Sequence, residues 1–244
     1  MGRQEQTNHL FSNRDLRILL VPLIVEQILN SLMGTADSIM VSNVGSAAIS
    51  AVSLVDSINI LVIQAFYALA AGGTIVCSQY IGQKDKKNAE ESARQLSFVV
   101  ACISSAVMAV CLLTRGPLLR LIFGSVEADV MEAAQIYFFY TALSFPFIAL
   151  YDAGSSIYRA QGNTRLPMTI AVVSNGLNIA GNAVLIWGFH LGVAGAAIAT
   201  CLGYCVPSIV GLVYFTKNRT GSLYFVPFKF DGQTLLAACG NGSS

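Results

Sequence analysis

Charge is scarce in this chain. Only 11% of its 244 residues are Asp, Glu, Lys or Arg, against roughly 25% in soluble domains, and that shortage excludes an ordinary water-soluble fold. Histidine is scarcer still. His9 and His190 are the only two, neither within ligand spacing of an acid cluster, and the six cysteines contain no CxxC pair. A hydrolytic or metal-dependent site therefore has no evident base, nucleophile or ligand set, and no enzymatic activity or bound cofactor is expected. Cys201 and Cys205, four apart in an apolar stretch, read as small packing residues. A net charge of +1 offers no basic face for nucleic acid.

What fills the space is hydrophobic, at 55% of residues, in runs long enough to cross about 30 Å of hydrocarbon. Six spans are expected, at about 16–40, 50–80, 93–114, 131–156, 166–188 and 193–215. They divide the chain into a polar tail over about 1–15, a six-helix membrane lobe over about 16–216, and a linker over about 217–244. The linker reads as the lead-in to a seventh span. The first apolar stretch exceeds a signal-peptide core and has no small-residue cleavage site, so it is expected to stay as a helix. The predicted fold class is all-α integral membrane.

The basic residues give an independent test, because cytoplasmic flanks of membrane helices carry excess Lys and Arg. With the N-terminus inside, Arg3, Arg14, Arg17, Lys84, Lys86, Lys87, Arg94, Arg159, Arg165, Lys217, Arg219 and Lys229 are cytoplasmic, and only Arg115 and Arg120 fall outside. Both termini are then cytoplasmic, which requires an even number of spans. Six satisfies that, and the expected location is the cell membrane.

Four acids lie inside these apolar runs: Glu26, Asp37, Asp56 and Asp152. A charged side chain at mid-membrane costs about 2.5–3.5 kcal/mol on insertion scales, so such residues face a bundle interior or a cavity and serve ions, protons or partners. Glu26, Asn30 and Asp37 fall at i, i+4 and i+11, one helical face. Asp152 is two helical turns from Arg159 and is expected to pair with it structurally.

Two hairpins carry a matching polar layer. Asp37 lies about eight residues before the turn near Gly45, and Asn182 about eight before the turn near His190. Asn175, Asn178 and Asn182 share one face of span five, and Thr200 follows on span six at comparable depth. Tyr137 on span four reaches the same layer. A carboxylate among amide, hydroxyl and phenol oxygens suits a hard cation or a proton with hydrogen-bond relays. Asp37 is the principal candidate, and Glu26 and Asp56 are additional polar candidates.

Several of these segments resemble the multidrug and toxic compound extrusion (MATE) transporters. The resemblance runs through Pro22, Asp37-Ser-Ile-Met-Val and Gly45-Ser-Ala-Ala-Ile, and Gln79-Tyr-Ile-Gly82-Gln-Lys-Asp85. It continues through Tyr158-Arg-Ala-Gln-Gly162-Asn-Thr, Asn178, Asn182 and Gly192-Val-Ala-Gly-Ala-Ala-Ile-Ala-Thr200, and covers about residues 14–220. It implies a twelve-helix protein of two six-helix lobes with a central cleft, of which this chain is the N-terminal lobe and lacks the C-terminal one. It also implies secondary active antiport: multidrug efflux of organic cations or other toxic amphipathic compounds against inward proton or sodium flow. In one branch of the family the coupling ion is held at positions matching Asp37, Asn178, Asn182, Thr200 and Tyr137. Asn182 is a departure, being often aspartate there, and leaves Asp37 with less negative company.

Two alternatives remain open at this point. Wider relatives flip lipid-linked sugars, and an isolated lobe can act as a non-transporting membrane partner. The expected partners are a small-molecule substrate, the lipid bilayer and the second lobe.

Overall fold

The computed structural model describes residues 13–124 and 126–217, and among these every regular element is helical. Seven helices follow in order: α1 (Asn13–Ser42), α2 (Ser46–Gly82), α3 (Lys86–Phe123), α4 (Ala128–Leu143), α5 (Phe145–Ala160), α6 (Arg165–Asn182) and α7 (Gly192–Lys217), with a π-helical segment, Ala183–Gly188, continuing α6. Most of the expected tail and the expected linker, with Cys239, lie outside the described residues.

Four stretches are long and apolar enough to cross a membrane: Ser46–Gly82, Lys86–Phe123, Arg165–Gly188 and Gly192–Gly211. The pair α4 and α5, bent by 43°, makes a fifth if taken as one span. The described residues thus hold four or five such stretches, where the sequence predicts six, and α1, with Glu26 and Asp37 along it, is not among them. Leu61, Leu113 and Leu121 are 72%, 85% and 83% exposed. In water such a surface would drive association, whereas it suits lipid.

The turns explain where the rods stop. Gly45 sits at φ 137°, a backbone conformation that favours glycine, immediately before α2. Asp85 caps α3, its carboxylate accepting from the backbone N–H of Asn88 at 3.2 Å and from that residue's amide at 2.6 Å. This cap starts α3 at Lys86, earlier than hydropathy predicts. The other end also overruns: α3 continues past Arg115 and Pro117 to Phe123, and the Arg115 guanidinium lies 5.3 Å from the centre of the Phe139 ring on α4. An Arg lying over a ring face keeps its charge and its packing together, so a basic residue there does not end the helix.

The fourth expected span breaks at Ser144. Pro146, in the first turn of α5, has no N–H to continue the helical ladder. The Ser144 hydroxyl instead donates to the Thr141 carbonyl at 2.6 Å. The break turns Phe145 edge-on to Phe66 of α2, with ring centres 6.0 Å apart.

Packing is densest between α6 and α7 and between α2 and its neighbours α3, α4 and α5. The first hairpin behaves differently. α1 packs mainly on α6 and only sparsely on α2, its neighbour in sequence. Small residues permit the α6–α7 approach. A methyl at Gly203 would stand 2.9 Å from Asn178 Cβ, and one at Gly181 would stand 3.1 Å from Ala199 Cβ. The splay between α1 and α2 accommodates the cavities that follow.

Candidate functional site

Two cavities open beside α1. The first, of about 260 Å³, is lined by Asp37 from α1, Asp56 and Asn59 from α2, Tyr137 and Thr141 from α4, Ser144 at the break, and Thr200 and Tyr204 from α7. Each arrives by a local cause. Asp37 continues the polar face of α1, Thr141 and Ser144 are aimed inward by the α4–α5 bend, and Tyr204 follows Thr200 by one helical turn.

A hydrogen-bonded chain closes behind Asp37. The Asn182 amide donates to Asp37 Oδ1 at 2.5 Å and to Asn178 Oδ1 at 3.1 Å. The Asn178 amide in turn donates to Thr200 Oγ1 at 3.4 Å. Asn178 and Asn182 are each 1% exposed. The Asn182 carbonyl oxygen is buried and has no hydrogen-bond partner. Across the cavity, the Asn59 amide donates to Asp56 Oδ1 at 3.4 Å, and the Tyr137 hydroxyl lies within reach of Asp56 and Thr200.

The lining contains two carboxylates and no Lys, Arg or His. Burial of acids without a partner cation is costly. Such a site gains most by taking up a small cation, and it offers oxygens of carboxylate, amide, hydroxyl and phenol type for one.

The second cavity, of about 330 Å³, lies toward the other end of α1 and is lined by Glu26, Asn30, Tyr67, Tyr151, Asp152, Arg159, Asn175 and Tyr204 among others. Asn30, Met33, Ile63, Ile148 and Tyr204 line both cavities, which therefore adjoin. Asn175 donates to Asn30 Oδ1 at 3.4 Å.

Of the residues singled out in the sequence, Asp37, Asp56, Tyr137 and Thr200 meet in the first cavity, with Asn178 and Asn182 bonded behind it. Glu26 does not join them. It is 6% exposed in the second cavity, where Arg159 Nη2 reaches its Oε1 at 2.6 Å. The expected Asp152–Arg159 pair gives way to this one, because the fold brings Glu26 of α1 within ion-pair distance of the guanidinium, and no ion pair between Asp152 and Arg159 forms. Sequence reasoning passed over Asn59 and Tyr204, although their spacings of three and four from Asp56 and Thr200 are the available signal.

The MatE family model matches residues 22–184. An uncharacterized transporter, YisQ, of Bacillus subtilis is 33% identical over 218 residues, 88% of this chain and 46% of that protein. A probable multidrug resistance protein, NorM, of Thermotoga maritima is 28% identical over 214 residues, 84% of this chain and 45% of that protein. The chain thus spans about half the length of the curated relatives it matches. Among solved structures, a MOP superfamily transporter from Pyrococcus furiosus has a TM-score of 0.84 at 23% identity, over 92% of this chain and 50% of that one. The outward-facing conformation of a multidrug resistance MATE family transporter gives the same values.

Proposed function

This chain belongs to the MatE family, and from that membership we propose that it forms one six-span lobe of a cation-coupled antiporter exporting organic cations or other toxic amphipathic compounds. The coupling ion, a proton or a sodium ion, binds at Asp37, with Asp56, Tyr137, Asn178, Asn182 and Thr200 around it. One observation carries this reading: the first cavity holds two acids and no basic side chain. The bare Asn182 carbonyl oxygen supports it, being an acceptor with nothing to accept from.

The lobe works against a second six-helix lobe. Transporters built from repeats place substrate and ion sites where the repeats meet, and α1 and α2 splay apart beside both cavities. Occupancy of Asp37 lets α1 repack on α6, and the ion gradient biases that two-state change. Each elementary charge moved contributes about 2.3 kcal/mol per 100 mV. The protein sits in the cell membrane with both termini cytoplasmic, in line with the twelve basic flanking residues.

The test is drug-driven ion movement. The two-lobed protein in proteoliposomes, given an inward proton or sodium gradient, should export a fluorescent organic cation and dissipate the gradient in step. Export independent of both gradients would overturn the proposal.

A further inference from the structure

The second cavity has an unbalanced charge. Glu26 and Asp152 bring two carboxylates, and Arg159 is the only Lys, Arg or His in the lining. The ion pair uses Glu26 Oε1 alone. Glu26 Oε2 and Asp152 Oδ2 are both buried and have no hydrogen-bond partner. With every group ionised, one negative charge remains in excess inside an apolar bundle, where its desolvation is not offset.

We propose that this cluster is a second proton-binding site of the lobe, separate from Asp37, with the proton held by Asp152. A metal ion suits the site poorly. Hard cations take several oxygen ligands and are repelled by a neighbouring guanidinium, and here Arg159 lies among the acids while several of the nearby oxygens are already engaged. The Tyr151 hydroxyl donates to the Pro167 carbonyl at 3.1 Å, Asn30 Oδ1 accepts from Asn175, and the guanidinium offers only donors and a repelling charge. A proton needs one oxygen. It goes to Asp152 because Glu26 is already in an ion pair with Arg159 at 2.6 Å, whereas Asp152 Oδ2 has no partner. Hydronium from the aqueous side is the donor and water the by-product, so the cluster passes from one net negative charge to none.

The titratable groups around Asp152 are Glu26 from α1, Tyr67 from α2, Tyr151 and Arg159 from α5, and Tyr204 from α7. α6 contributes Ser174 and Asn175, which do not titrate, and no charged residue of α3 or α4 lines the cavity. Tyr204 lines both cavities, so the two acidic clusters adjoin.

The experiment is acid-minus-base infrared difference spectroscopy of the full chain in phosphatidylcholine nanodiscs, in H2O and D2O. The background is Asp37→Asn with Asp56→Asn, which silences the first cavity. A protonated-carboxyl band in the frequency range of groups lacking hydrogen bonds, shifted by D2O, should persist in this background. Asp152→Asn should abolish it. Glu26→Gln should abolish it as well, since one acid then balances one guanidinium, and Arg159→Gln should increase its area about twofold because two acids then lack a counter-charge. Circular dichroism establishes that each variant is folded, and Asp152→Glu, which keeps the carboxyl, should retain a band at an altered frequency. A band absent from the background, or unchanged by Asp152→Asn, would overturn the proposal. So would a band that disappears when sodium replaces choline in the buffer, because the cation bound would then be sodium.

Discussion

The Asn182 amide reaches Asp37 Oδ1 at 2.5 Å, tying α6 to α1 across 145 positions of sequence. A hydrogen bond to a charged group contributes about 1.5–3 kcal/mol, and an orphaned buried acid costs as much again. This bond therefore does two things at once. It fixes where α1 rests on α6, and it engages only one of the two Asp37 carboxylate oxygens.

Asp37→Asn keeps the shape of the side chain and removes its charge. Folding and membrane insertion should survive, while ion-coupled export by the two-lobed protein should fall at least tenfold, equivalent to about 1.4 kcal/mol or more. Proteoliposome assays of drug-driven ion movement report the coupling, and size-exclusion profiles report the fold. Retained coupling would remove Asp37 from the mechanism.

Gly203→Leu tests the close approach of α7 to α6. Even a Cβ there would lie 2.9 Å from Asn178 Cβ, so a larger side chain forces the helices apart. Overpacking of this kind costs about 1–3 kcal/mol. Thermal unfolding in detergent should show the loss, and export should weaken with it because Asn178 is displaced from Thr200.

The Glu26–Arg159 pair joins α1 to α5. Arg159→Met alone leaves a buried acid unpaired and should destabilise by about 3–5 kcal/mol. Adding Glu26→Met should restore most of that stability, because an apolar pair of similar volume tolerates the site well. A double-mutant cycle by thermal or denaturant unfolding measures the coupling; additive losses would show that the two residues act independently.

Orientation is testable by cysteine labelling on a background lacking native cysteines. Ser46→Cys, at the start of α2, should react with an impermeant reagent added outside intact cells. Lys86→Cys, at the start of α3, should react only after the membrane is opened. Labelling of Lys86→Cys from outside would invert the topology.

Much of the architecture was legible in residue spacing. The intervals among Glu26, Asn30 and Asp37, and among Asn175, Asn178 and Asn182, announce two polar helix faces, and Gly45 marks a turn. Spacing states which residues share a face of one helix, not which other helix that face meets. That is why spacing alone pairs Arg159 with Asp152, a neighbour on its own helix, when its partner is Glu26, 133 positions away. The break at Ser144 was obscured because the apolar run continues through it. Arg115 masked the true length of α3, since hydropathy cannot anticipate a guanidinium resting on Phe139.

The preference of α1 for α6 over α2 also sets a timetable for synthesis. Chains emerge from the ribosome at about 5–20 residues per second, so the 145 positions between Asp37 and Asn182 correspond to roughly 7–30 s. For most of that interval, until Arg159 is made, α1 carries Glu26 and Asp37 with neither of their eventual partners available. Its nearest neighbour in the chain, α2, offers little contact surface. A helix carrying two acids at membrane depth thus emerges well ahead of the helices that pair with it. Insertion of this lobe should therefore depend on whatever shelters α1 from lipid until α5 and α6 arrive.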